Sequence, residues 1–97
     1  FIPIPQNPID KLWLNRPSPS LNPIDIHDLS YAGVSSEEKR SHIGKILQEK
    51  HVDAAILTTP ESIAWLLNIR GNDVPHTRAV QGVAMIWADA CVDLFIH

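Results

Sequence analysis

The chain has 97 residues, of which 44% are apolar and 20% charged, with a formal net charge of −3 and a single cysteine, Cys91. That size allows one small domain, or part of a larger one, burying roughly 60–65% of the surface its unfolded form exposes. The composition offers no basic block to neutralise nucleic-acid phosphates, no apolar run near the ~20 residues a membrane helix needs, and no partner for an internal disulfide.

The first third is proline-rich: six of the eight prolines fall between residues 3 and 23. Proline removes a backbone donor and biases the preceding residue toward extended geometry. Residues 1–34 are therefore expected to form an extended interdomain connector, with Leu12, Trp13 and Leu14 as an apolar knot pinned to a neighbouring surface. FIPIPQNPID has neither a basic start nor a continuous apolar core, so it does not read as a signal peptide. A start at Phe1 reads as a piece cut from a longer polypeptide.

Residues 35–97 are expected to pack. Ser35 with Glu38 three residues later is a capping box opening a helix. Ile43, Ile46, Leu47 and the stem of Lys50 recur at helical spacing, and the helix ends near Lys50. Gly44 interrupts it at a cost of about 1 kcal/mol against alanine, which close approach to a sheet would explain. Asp53–Leu57 reads as a buried strand. Thr59 caps a second helix with Pro60 at its first position, and that helix, apolar nearly all round, should be packed on more than one side to about Asn68. Asn68 to Thr77 is a loop in which Gly71 permits positive φ and Asn72 and Asp73 make local turn bonds. Residues 80–87 and 91–96 read as two strands of an antiparallel hairpin, with Cys91 as a buried small residue. The order is α-β-α-β-β: an α/β fold with a small mixed sheet packed by two helices, its edge left open.

Several motifs carry a family resemblance. They are Asp10, Trp13, Arg16 and Pro17 in the connector, Tyr31-Ala32-Gly33 followed by Ser35, Ser36, Glu37 and Lys39, and the run SIAWLLNIRGNDVP from Ser62 to Pro75. In this order they resemble the three-domain Xaa-Pro aminopeptidases, over residues 9–97. The resemblance implies the first part of a creatinase N-terminal-like second domain, incomplete at its C-terminal side, from a cytoplasmic, dimeric enzyme that removes an N-terminal residue preceding proline. It also implies two divalent metal ions, typically manganese, held by carboxylates and a histidine of a catalytic domain this chain lacks. No cofactor of its own is expected.

No catalytic constellation can be assembled here. The five histidines show no HxxxH, HxH or HExxH spacing, and Ser62 lacks a nucleophile elbow. No catalytic or metal-binding residue is therefore expected, and the chain alone should be inactive. The polar cluster after the second helix holds the candidates for a substrate entrance or interdomain contact: Arg70, Asp73 and His76. The bland alternative is a satisfied turn in which Arg70 pairs with Asp73. Arg78 stands where many relatives carry proline, so the path after His76 is expected to depart locally. Expected partners are the remaining domains of the parent, peptide substrate only through the intact enzyme, and a second copy through the open sheet edge, with neither nucleic acid nor membrane. The competing reading is a self-standing protein-interaction module unrelated to peptidase activity.

Overall fold

The computed structural model describes residues 2–96. Helix α1 (Pro8–Leu12), strand β1 (Asp25–Ile26) and helix α2 (Leu29–Ala32) lie in the proline-rich third. Helix α3 (Ser36–Glu49), strand β2 (Ala54–Leu57), helix α4 (Pro60–Leu67), strand β3 (Ile69–Arg70) and the hairpin β4 (Val83–Trp87) with β5 (Val92–Phe95) follow. No described helix is long and apolar enough to cross a membrane.

The α/β class stands, with α3 and α4 on one face of a sheet ordered β2-β4-β5. What differs is the expected mixed sheet: both of its pairings are antiparallel. A second antiparallel pair joins β1 to β3. The chain leaves β2 through α4 and returns by a long loop, so β4 runs back along β2 rather than beside it in parallel. Residues facing one another across the strands share a face. Ala55 and Leu57 oppose Ile86 and Ala84, which in turn oppose Val92 and Leu94. On that face Leu47 of α3 and Leu66 of α4 close over Ile86. Ile63, Ala79, Val80 and Ala84 complete the buried apolar set among the described residues.

The opposite face carries Ile56, Val83, Met85, Trp87 and Phe95, all exposed except the half-buried Met85. Met85, Ile86 and Trp87 form a continuous apolar run in the sequence. In the sheet they alternate, and only Ile86 turns toward the helices. Likewise α4 is packed on one side: Ile63 and Leu66 are buried while Trp65 is 56% exposed.

Local chemistry sets the helix ends. Ser35 accepts from the Glu38 N–H while the Glu38 carboxylate accepts from the Ser35 N–H and hydroxyl, the reciprocal capping box. At the other end of α3, His51 N–H donates to Gln48 and Val52 N–H to Leu47. His51 takes φ 56°, so a Schellman cap closes the helix with histidine where glycine is commonest. Gly44 faces the β4–β5 turn, where a Cβ would sit 3.0 Å from the Ala88 carbonyl oxygen. One turn to either side, Arg40 Nη1 donates to the Ala90 carbonyl (3.3 Å) and Gln48 Nε2 to the Ala88 carbonyl (2.6 Å). The helix thus clasps the hairpin turn, and the close approach behind Gly44 is to that turn.

The turn itself is a three-residue loop. Ala90 N–H donates to Trp87, Trp87 N–H to Cys91, and Ala90 adopts φ 71°. That is the type I turn plus left-handed residue expected of such loops, with alanine in the glycine-favouring place. Cys91 is exposed beside this turn, not buried as expected. A hydrogen bond with Asp89, then the charge of the same carboxylate, push its thiol above the ordinary range. It is a poor thiolate.

The proline-rich segment is not extended throughout. Its N-terminal part carries α1, capped by the Asn7 side chain, and an exposed Arg16–Asp10 pair at 2.6 Å. Trp13 is half exposed and Leu12 and Leu14 are largely exposed, so the apolar knot is little covered among the described residues. The stretch from Asn22 onward instead docks on the loop after α4.

Candidate functional site

The site is built where α4 ends. Asn68 takes the left-handed conformation (φ 51°, ψ 48°) that stops the helix, and its N–H donates to Ala64. An asparagine tolerates this geometry better than most side chains. Both ends of its side-chain amide are engaged: Nδ2 donates to the Val34 carbonyl (3.0 Å) and Oδ1 accepts from Lys39 Nζ (2.6 Å). Lys39 Nζ also donates to the Trp65 carbonyl (2.8 Å) and lies 4.7 Å from the Trp65 ring centroid. The ammonium therefore satisfies one of the last carbonyls of α4 and tethers α3 to it. Lys39 is 7% exposed.

From Asn68 the chain enters β3. His27 N–H donates to the Asn68 carbonyl (2.7 Å), extending the β1–β3 pairing. That pairing brings the two side chains together: Arg70 Nε donates to His27 Nδ1 (3.0 Å), with Nη2 3.2 Å from His27 Nε2. A neutral imidazole can accept at only one of these nitrogens. Tyr31 stacks with His27 at 5.9 Å between centroids. A cavity of about 480 Å³ opens here, with Lys39, Trp65, Arg70, His76 and Arg78 among its walls.

Gly71 departs from expectation. It does not need positive φ. Its N–H donates to the Arg78 carbonyl, and a Cβ would collide with the Ala79 carbonyl. Close backbone approach, not turn conformation, demands glycine. The positive φ values in this loop belong to Asn68, at its start, and to His76 at 63°.

Asn72 and Asp73 do not close a local turn. The Asp73 carboxylate accepts from the Asn22 N–H (3.0 Å), and the Asn72 carbonyl accepts from Asn22 Nδ2 (2.8 Å). Asn72 Nδ2 donates to Asp25 Oδ2 (2.9 Å) and to the Pro23 carbonyl (3.3 Å). Arg78 Nη2 reaches the same Asp25 oxygen at 3.1 Å. These contacts latch the proline-rich segment onto the domain. The bland Arg70–Asp73 pair is not formed: Arg70 faces His27, and Asp73 faces Asn22 across a different groove. Of the three candidates, Arg70 and His76 share the cavity and Asp73 does not.

Lys39, Trp65 and His27 were missed as site residues. Lys39 had a legible signal, since it falls in register with Ile43 and Leu47 at four-residue spacing on the buried stripe. His27 had none, because it joins the site only through pairing between strands 43 residues apart. Among the described residues no group of three or more His, Cys, Asp and Glu is arranged to hold a metal ion. The residues present therefore do not fit the metal pair that the resemblance implies for a catalytic centre.

Comparison with known proteins places these features in context. The sequence model described as the creatinase/prolidase N-terminal domain matches residues 15–97. A probable Xaa-Pro aminopeptidase P of Aspergillus niger is 33% identical over 97 residues, covering 99% of this chain and 16% of its own length. An Xaa-Pro aminopeptidase of Caenorhabditis elegans is 35% identical over 75 residues, covering 77% of this chain and 12% of its own. A crystal structure of X-prolyl aminopeptidase from Caenorhabditis elegans, described as a cytosolic enzyme with a di-nuclear active site, superposes with a TM-score of 0.88 at 30% identity. It covers 97% of this chain and 15% of that one. The chain thus spans about a sixth of the length of the relatives it matches.

Proposed function

The chain belongs to the creatinase/prolidase N-terminal domain family, and on that premise we propose that it serves an Xaa-Pro aminopeptidase as the first part of a non-catalytic second domain with its leading connector. The parent would remove an N-terminal residue preceding proline in the cytoplasm, using two divalent ions, manganese by family resemblance, on residues outside this chain. The role of this piece is to orient the neighbouring domains, narrow the approach to the catalytic centre and contribute to subunit contact. The observation that carries the reading is the latch. Asn72, Asp73 and Arg78 hold Asn22, Pro23 and Asp25, so the segment leading into the domain leaves it at a defined angle. No step of the hydrolysis is assigned to these residues.

Two measurements test it. The purified chain should leave an Xaa-Pro peptide intact with or without manganese, and metal-dependent cleavage would refute the reading. Asp73→Ala combined with Asn22→Ala should release the connector, seen as faster limited proteolysis between residues 14 and 24 with little change in melting temperature. Unchanged proteolysis would remove the latch as the basis for orientation. The exposed apolar face formed by Ile56, Val83, Trp87 and Phe95 supports a second reading, a module that associates through its sheet.

A further inference from the structure

Two cations in the cavity beside α4 are drawn out of water with no carboxylate to answer them. Lys39 is 7% exposed, and both oxygens that accept from it, the Trp65 carbonyl and the Asn68 amide, are neutral. Arg70 is half-buried, turns one flank of its guanidinium to the imidazole of His27, and makes no ion pair among the described residues. Removing a charge from water without a counter-charge is costly, and a bound anion offsets that cost. Donors remain to receive one. The ammonium has a third N–H with no oxygen acceptor, its charge meeting the Trp65 ring 4.7 Å away but no anion, and Arg70 Nη1 has no protein partner among the described residues. The other charged groups here do not fill the role. Arg78 is answered by Asp25, and Glu61, which also lines the cavity, is exposed and pairs with neither cation.

We propose that this cavity binds a carboxylate of a peptide chain, received by Lys39 and the free edge of Arg70, with the Trp65 indole supporting the apolar body that carries it. A planar monoanion matches the guanidinium edge. The half-exposed indole and the cavity of about 480 Å³ leave room for a side chain or two beside it. This inference stands apart from the proposed parent activity, since it concerns only groups of this chain.

The test is a ¹H–¹⁵N NMR titration of the 97-residue chain at fixed ionic strength, reading Arg70 Nε–H and the Trp65 indole N–H. Four probes are compared: a short apolar peptide with a free C-terminus, its C-terminal amide, the amide carrying one glutamate, and inorganic phosphate. Saturable shifts are expected with the free acid, the glutamate peptide or both, which distinguishes main-chain from side-chain carboxylate. The plain amide should produce none, and Arg70→Gln should weaken binding about tenfold or more. Equal binding of the amide, tighter binding of phosphate than of either carboxylate, or no saturable shift at all would overturn the proposal. Should Arg70→Gln fail to fold, the acid-against-amide comparison on the unaltered chain decides alone.

Discussion

Asn68 does two jobs at one position, and they can be separated. Its backbone supplies the left-handed stop of α4, and its side chain joins Val34 to Lys39. Asn68→Gly keeps the backbone freedom and removes only the side-chain bonds. It should lower stability by about 1–3 kcal/mol in denaturant melts, the cost of leaving buried polar groups unpaired. Lys39→Met keeps the stem volume and strands the same acceptors, so it should cost a similar amount. Because the two residues share one bond, the double variant should lose less than the single losses added together. A smaller and opposite effect belongs to Ala90, where glycine relieves φ 71°. Ala90→Gly should raise stability by up to about 1 kcal/mol, read as a higher melting temperature. None of these three roles could be read in full from composition. Lys39 betrayed itself by register, but Ala90 had no signature, because alanine carries no turn chemistry of its own.

The elements of residues 35–97 were legible because each is punctuated locally. Ser35 and Glu38 open α3, Pro60 opens α4, and apolar runs separated by three residues make the hairpin. The proline-rich third was misjudged because β1 is only two residues long and exists through its pairing with β3. A strand that short has no sequence period to detect. The site suffered the same way, since Arg70 was readable but its partner His27 arrives through that pairing. The capping box makes a pH-dependent claim. Hydrogen bonds from the Ser35 N–H, then its hydroxyl, hold the Glu38 carboxyl below its ordinary value of 4.5. A lowered folded-state value stabilises above the ordinary value and is lost as pH falls through the lowered one. The melting temperature of Glu38→Gln should therefore lie below that of the unaltered chain at neutral pH, and the gap should close in acid below pH 4.5. A gap that widens in acid would contradict the assignment. Gly71→Ala meets the Ala79 carbonyl and must push one backbone segment off another. It should cost about 1–3 kcal/mol, and calorimetry on the folded variant would show it.

The whole molecule is a slab of 45 × 36 × 16 Å with a Cα radius of gyration of 16.5 Å, against about 13 Å for a compact chain of 100 residues. It exposes 7609 Å², where a folded monomer of this size would expose about 5,500 Å². The excess is of the order that a specific interface buries in total. Residues 2–23 are exposed throughout and contribute to it, the sheet face opposite the helices is uncovered, and neither β2 nor β5 has a second neighbour among the described strands. Light scattering at tens of micromolar should accordingly find dimers or larger species. Phe95→Lys on that face should shift the population toward monomer without lowering the melting temperature of the monomer, since Phe95 is 59% exposed. A clean monomer for the unaltered chain would end this expectation.

The grip of α3 on the β4–β5 turn bears on where this chain could be engineered. A tip of three residues between two strands is ordinarily a forgiving place to splice in a tag or extra sequence. Here the carbonyls of Ala88 and Ala90 are claimed by Gln48 and Arg40, and Gly44 leaves no slack behind them. Lengthening that tip would tear the helix from its handhold, so grafted sequence belongs before Asn22, upstream of the latch.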